Sequence, residues 1–145
     1  REDCLKDIIS DLNEPVVVFC EFVEDLASIS RVASSLKLSY AEVSGRRRDG
    51  LTDEATMAPV DVVGSQISSG SEGVDFTRAR VGILFSPTYK LYLYKQAIAR
   101  IDRPGQTRKM LFVHMVAEGT IDEAVYQALV ARSDVVEAVY RRMKR

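Results

Sequence analysis

Two arginines and a glutamine in the stretch QAIARIDRPGQT have the spacing to handle a phosphate. Gln96, Arg100 and Arg103 follow one another at four and then three residues, which places all three on one stripe of a helix. Leu93, Tyr94, Ala97, Ile98 and Ile101 fall on the other side of that helix, predicted over Tyr89–Arg103. One face is therefore buried, and the other presents an amide and two guanidiniums. Pro104-Gly105 ends the helix, because proline disfavours a helical residue before it and glycine permits a reversal. A guanidinium is a rigid fork of donors matched to phosphate oxygens, so two of them at a helix end suit a phosphate. On spacing alone, a solvated basic face satisfies the same pattern.

Other stretches carry weaker signals. The loop Ser69–Asp75, SGSEGVD, has two glycines that permit close backbone approach, and successive amides there could cradle an anion. It equally suits a plain connection, and it lacks the lysine and hydroxyl of the G-x-x-x-x-G-K-[ST] phosphate loop. Arg46-Arg47-Arg48 follows Ser44-Gly45 at the end of an expected strand, where the arginines either meet phosphate or are simply solvated. His114 is the only histidine and lies inside the strand-like KMLFVHMVA without a nucleophile or acid placed to pair with it, so a structural role is expected. Cys4 and Cys20 are too few and too far apart for a paired-cysteine metal site. Cys20, in an apolar run, reads as a buried free thiol in a reducing compartment.

The elements that must position these residues alternate in type. Glu2–Leu12 has apolar residues at helical spacing (Leu5, Ile8, Ile9, Leu12), and PVVVFCEF is a continuous apolar run expected of a strand buried on both faces. Helical period returns over Phe22–Leu38. Strands are expected at Tyr40–Val43, Val60–Ile67, Val81–Phe85 and Met110–Val116. A short helix is expected at Thr52–Met57. Thr120 to Glu123 forms a capping-box pattern that opens a final helix, interrupted near Ser133-Asp134 and resumed for a last turn or two into the basic tail. Such alternation argues an α/β domain with a central, mostly parallel sheet flanked by helices. Sites in such folds gather at the carboxyl ends of strands, which brings forward the loops after Phe19, Val43 and Ile67.

At 145 residues the chain is one domain's worth, residues 1–145, with 46% apolar and 28% charged residues and a net charge of −1. Nucleic-acid binding would have to come from local arginine patches. No apolar run approaches the ~20 residues of a membrane helix, so no membrane partner is expected. The start, REDCLKDI, is too charged for a secretory signal, and the missing initiator methionine suggests a fragment of a longer protein. A cytoplasmic location, or a nuclear one in a eukaryote, is expected.

QAIARIDRPGQT resembles the last motif of the Swi/Snf-type branch of the helicase superfamily, with Gln96, Arg100, Arg103, Gly105 and Gln106 at the motif positions. Asp102 and Pro104 stand where that motif has histidine and isoleucine. The likeness extends upstream through GSEGVDFTRA and downstream through VHMVAEGTIDEAVYQAL. It implies a three-layer recombinase-A-like domain that forms the second motor lobe of a DNA translocase. By the resemblance, Arg100 and Arg103 act on ATP held by an N-terminal recombinase-A-like lobe. Gly73, Asp75 and Gln96 approach the nucleotide, while Gly45, Arg46, Ser65, Gln66, Ser69 and Gly70 lie near the DNA backbone. ATP and Mg2+ are implied for the intact two-lobe protein, with none bound by this domain alone. Asp53-Glu54-Ala55-Thr56 is not the family's metal-holding acidic box, because that box ends an apolar strand and Asp49-Gly50-Leu51-Thr52 is none. The competing expectations are a non-catalytic docking or regulatory module of the same fold and, less well supported, a free-standing nucleotide-binding α/β protein.

Overall fold

The computed structural model describes residues 1–45, 60–67, 76, 79–86, 91–102, 104, 106–117, 119, 124, 127 and 138–143. Helix α1 (Glu2–Leu12) leads to strand β1 (Val16–Cys20), helix α2 (Val23–Ser35) and strand β2 (Tyr40–Val43). Strands β3 (Val62–Gln66) and β4 (Val81–Leu84) follow, then helix α3 (Leu91–Ile101), β5 (Leu111–Ala117) and β6 (Ala138–Met143). The strands form one sheet in the order β2-β3-β1-β4-β5-β6, and every pairing is parallel.

All five residues of β1 are buried, as its continuous apolar run requires of a central strand. Val16, Val18 and Cys20 pack with Leu5, Ile8 and Ile9 of α1 and Leu26, Ile29 and Val32 of α2. Val17 and Phe19 point the other way, to a cluster with Leu93, Tyr94, Ala97 and Ile101 of α3. The period-two alternation of the strand thus meets a helix layer on each side, giving three layers. The turns out of the first two helices use left-handed residues, Asn13 at φ 50° and Lys37 at φ 59°. Asn13 closes α1 by donating its N–H to Ile9 O at 3.1 Å.

At the amino edge, Arg80 grips Glu14 with both forks, Nε–Oε1 at 2.9 Å and Nη2–Oε2 at 3.0 Å, which joins the entry of β4 to that of β1. Asp61 Oδ2 accepts from Ser39 N and Ser39 Oγ, both at 3.0 Å, and so ties the entries of β2 and β3. Close approach of α3 to the sheet depends on Gly82. A Cβ there would sit 2.7 Å from the Phe112 ring and 3.1 Å from Ile101 Cδ1.

Two expectations change. The tail is a strand at Ala138–Met143, paired parallel to β5 from Phe112↔Ala138 to Ala117↔Met143, where helical turns were expected. The open edge of β5 offers a row of backbone donors and acceptors, and pairing with it outweighs local preference. Helix α3 ends at Ile101 with Asp102 in a bend, short of the expected Arg103. The expected helix at Thr52–Met57 and most of the final helix lie outside the described residues, though Ala124 and Gln127 are helical.

Candidate nucleotide and nucleic-acid face

Helix α3 carries two of the three sequence-predicted phosphate residues, Gln96 and Arg100, on the faces its period requires. Leu93, Tyr94, Ala97 and Ile101 are buried, while Gln96 is exposed and Arg100, one turn on, is half-buried. The helix orientation is held from beneath. Tyr94 is fully buried and its hydroxyl lies 2.8 Å from His114 Nε2 on β5. Burial alone lowers the His114 pKa to about 4, so the ring is neutral at ordinary pH and serves as a hydrogen-bond partner. The structural role expected for His114 is the one seen.

The end of α3 is anchored by distant backbone. Arg100 O accepts from Phe76 N at 2.9 Å, and Gln106 Nε2 donates to Ala79 O at 2.8 Å. Phe76 directly follows Asp75 in sequence, so the chain leaving the glycine loop is bonded to the arginine position itself. Arg100 stands level with the start of β4, whose second residue, Gly82, is the one beneath Ile101. The end of α3 thus packs toward the amino side of the sheet, away from the carboxyl edge where sites were expected to gather. Gly73, Asp75 and Arg103 lie outside the described residues.

The carboxyl edge carries the second group. Pairing of Val43 with Ser65, and of Phe19 with both Ser65 and Leu84, sets the ends of β2, β3, β1 and β4 level. Gly45 N donates to Gln66 Oε1 at 3.4 Å, bringing two of the residues assigned to the DNA backbone together. Ser65 is different. Its side chain is fully buried, and its hydroxyl has no hydrogen-bond partner among the described residues, so it is not presented to DNA as expected. Strand alternation sends Ser65 to the same side as Val63, into the layer beneath α3. Arg46, Ser69 and Gly70 lie outside the described residues.

The same edge holds acids that the sequence reading passed over. Ser86 Oγ accepts from Glu21 N at 3.0 Å and donates to Asp25 Oδ2 at 3.1 Å, which fixes the start of α2 against the end of β4. Ser44 Oγ donates to the buried Glu42 Oε2 at 2.8 Å. Burial, and then the charges of Asp25, Glu42 and Glu21, push the Cys20 thiol far up, so it stays protonated. The loop after Phe19 is thus acidic and ill suited to phosphate. A carboxylate directly after an apolar strand, as in VFCE, was the available signal. Among the described residues, no group of three or more His, Cys, Asp or Glu could hold a metal ion.

Comparison with protein families matches residues 1–105 to the helicase conserved C-terminal domain. The chain belongs to that family. Among curated proteins, this helicase C-terminal domain is 26% identical over 129 residues to the ATP-dependent helicase fft2 of Schizosaccharomyces pombe, covering 83% of the chain and 10% of the relative. It is 28% identical over 127 residues to the human SWI/SNF-related matrix-associated actin-dependent regulator of chromatin subfamily A containing DEAD/H box 1, covering 84% of the chain and 12% of that protein. The chain thus spans about a tenth of the length of these relatives, which are Swi/Snf-type ATPases. The fold is shared with the C-terminal part of the Fun30 ATPase domain, at a TM-score of 0.75 and 22% identity over 86% of this chain and 43% of that one. The Pyrococcus furiosus Hef helicase domain follows at 0.63 and 24%, over 88% of this chain and 27% of that one. The expected recombinase-A-like architecture is the one found.

Proposed function

We propose that this domain is the second motor lobe of a DNA-dependent ATPase of the Swi/Snf type, acting on ATP held by a preceding recombinase-A-like lobe. The observation that carries the reading is α3, which buries one face on the sheet and leaves an amide and a guanidinium, Gln96 and Arg100, one turn apart on the other. That donor set fits a polyphosphate. Arg100 and, from the sequence motif, Arg103 reach the transferring phosphoryl group, where fixed guanidiniums act on charge that develops in the transition state. Gln96, Gly73 and Asp75 approach the nucleotide, and the preceding lobe holds Mg2+. Gly45 and Gln66, together with Arg46, Ser69 and Gly70 from the sequence motifs, contact the DNA backbone. ATP turnover then closes and reopens the cleft between lobes and steps them along DNA. Residues 1–145 act as one unit of a longer protein, located in the nucleus as a chromatin-directed ATPase is.

The test uses the intact two-lobe protein. Arg100→Ala is expected to lower DNA-stimulated turnover by at least about a hundredfold, with little change in KM for ATP, as for interactions made chiefly in the transition state. Arg103→Ala is expected to behave alike, and the double variant to lose far less than the product. Turnover near that of the unaltered protein in Arg100→Ala would refute the assignment and favour a docking or regulatory module of the same fold.

A further inference from the structure

We propose that Gln106 is a positioning residue, whose side-chain amide clamps the end of the arginine helix to the backbone at Ala79 and, through it, Phe76. The proposal rests on the ATPase reading above for its functional consequence, but the clamp itself is a matter of geometry. Gln106 Nε2 donates to Ala79 O at 2.8 Å and to Ile101 O at 3.4 Å. Its Oε1 accepts from Arg108 N at 3.3 Å. Ala79 N in turn donates to Phe76 O, and Phe76 N to Arg100 O, each at 2.9 Å. These bonds close a ring from Arg100 through Phe76 and Ala79 to Gln106 and back to Ile101.

The last turn of a helix leaves carbonyls without partners inside the helix. In α3 they are taken up by groups beyond the helix: Ile98 O by the adjoining Asp102 N at 2.8 Å, Arg100 O by Phe76 N, and Ile101 O by Gln106. Only an amide makes all three bonds at the place of Gln106. It offers two donor hydrogens to two carbonyls and an acceptor to Arg108 N at once. Glutamate has no donor there and sets a negative charge against two carbonyl oxygens. Leucine, of similar size, offers neither donor nor acceptor, and it leaves the Ala79 carbonyl beside buried side chains without its partner.

The clamp matters because its other end is rigid. Phe76 and Ala79 are fully buried, and the Phe76 ring packs edge-on to Phe19 of β1 at 6.3 Å between centroids. Phe19 stands in register with Ser65 and Leu84 near the carboxyl edge. The ring therefore fixes the backbone of Arg100 to the sheet through the residue that follows Asp75. Ile101 and Gln106, which flank Arg103 in sequence, are joined by the same amide. Phe76, Ala79 and the end of the arginine helix are held as one body.

The experiment takes the intact two-lobe protein with Gln106→Leu, Gln106→Glu and Gln106→Lys. Loss of the donors in the leucine and glutamate variants is expected to lower kcat for ATP by about tenfold to a hundredfold, the effect of a misplacement on the order of 1 Å, with KM moved far less. Lysine, which restores a donor, is expected to recover most of the turnover. Hydrogen exchange reads the clamp directly. The Phe76 and Ala79 amides should exchange slowly in the unaltered protein and faster in Gln106→Glu, while β1 and β4 amides hold. Turnover retained by the leucine and glutamate variants beside a dead Arg100→Ala would overturn the positioning role and leave the ATPase reading intact. If Arg100→Ala is itself active, the ATPase reading fails, and exchange at Phe76 and Ala79 still decides the clamp. Fast exchange of those two amides in the unaltered protein overturns it whether or not any variant folds.

Discussion

Stability should fall on mild acidification because of one side chain beneath the arginine helix. His114 is 2% exposed, and burial lowers its pKa from 6.5 to about 4. The unfolded chain has no such burial and titrates near 6.5. Between the two values the unfolded state binds a proton that the folded state refuses, so stability is full above pH 6.5 and is lost as pH falls toward 4. A gap of about 2.5 pK at about 1.4 kcal/mol each amounts to about 3 kcal/mol, of which about 2.5 kcal/mol is gone by pH 4.5. Carboxylates titrate in the same range, so the measurement is a difference. Urea unfolding of the protein and of His114→Gln is followed at pH 7.5, 6.5, 5.5 and 4.5. The unaltered protein should lose about 2.5 kcal/mol more than the variant over that span. Glutamine keeps a polar partner for the Tyr94 hydroxyl, so the two should differ mainly in slope. Parallel curves would refute the claim that His114 is folded in its neutral form. Because Tyr94 belongs to α3, loosening of this pair should appear first in the exchange of α3 amides.

Gly82→Ala should destabilise the domain by about 1–3 kcal/mol in urea unfolding, since the buried Phe112 ring and Ile101 must both give way to the new methyl. In the two-lobe protein the same change should lower ATP turnover through the displaced end of α3, whereas unchanged stability would contradict the close approach. Cys20, fully buried with its thiol pushed up by burial and three neighbouring carboxylates, should react with a thiol reagent only after denaturant is added, and prompt labelling of Cys20 in native protein would count against its placement.

Much of the fold was legible because the relevant patterns are local. PVVVFCEF carried no alternation, and β1 proved to be a central strand buried on both faces. Leu5, Ile8 and Ile9 announced the buried stripe of α1, and the Leu93-to-Ile101 spacing announced that of α3. The exposed Gln96 and half-buried Arg100 followed from the same period, since a residue's face on a helix is set by its number. The sequence also determined the family, through a motif whose residues sit in one short stretch.

What the tertiary structure decided involves partners far apart in the chain. Ala138–Met143 became a strand because β5 presented an open edge, a fact that no window around those residues contains. Ser65 looked available beside a glycine-rich loop, but its parity in β3 turns it beneath α3 into the core. Glu21, Asp25 and Glu42 gathered at one end of the sheet through strand order, as parallel strands bring together residues that crossovers separate in sequence. Arg100 came to rest level with the start of β4, and Gln106 found Ala79 across 27 positions of sequence. A period says which way a side chain faces. Which groups stand opposite is set by packing, because close-packed layers admit one arrangement of distant segments at a time.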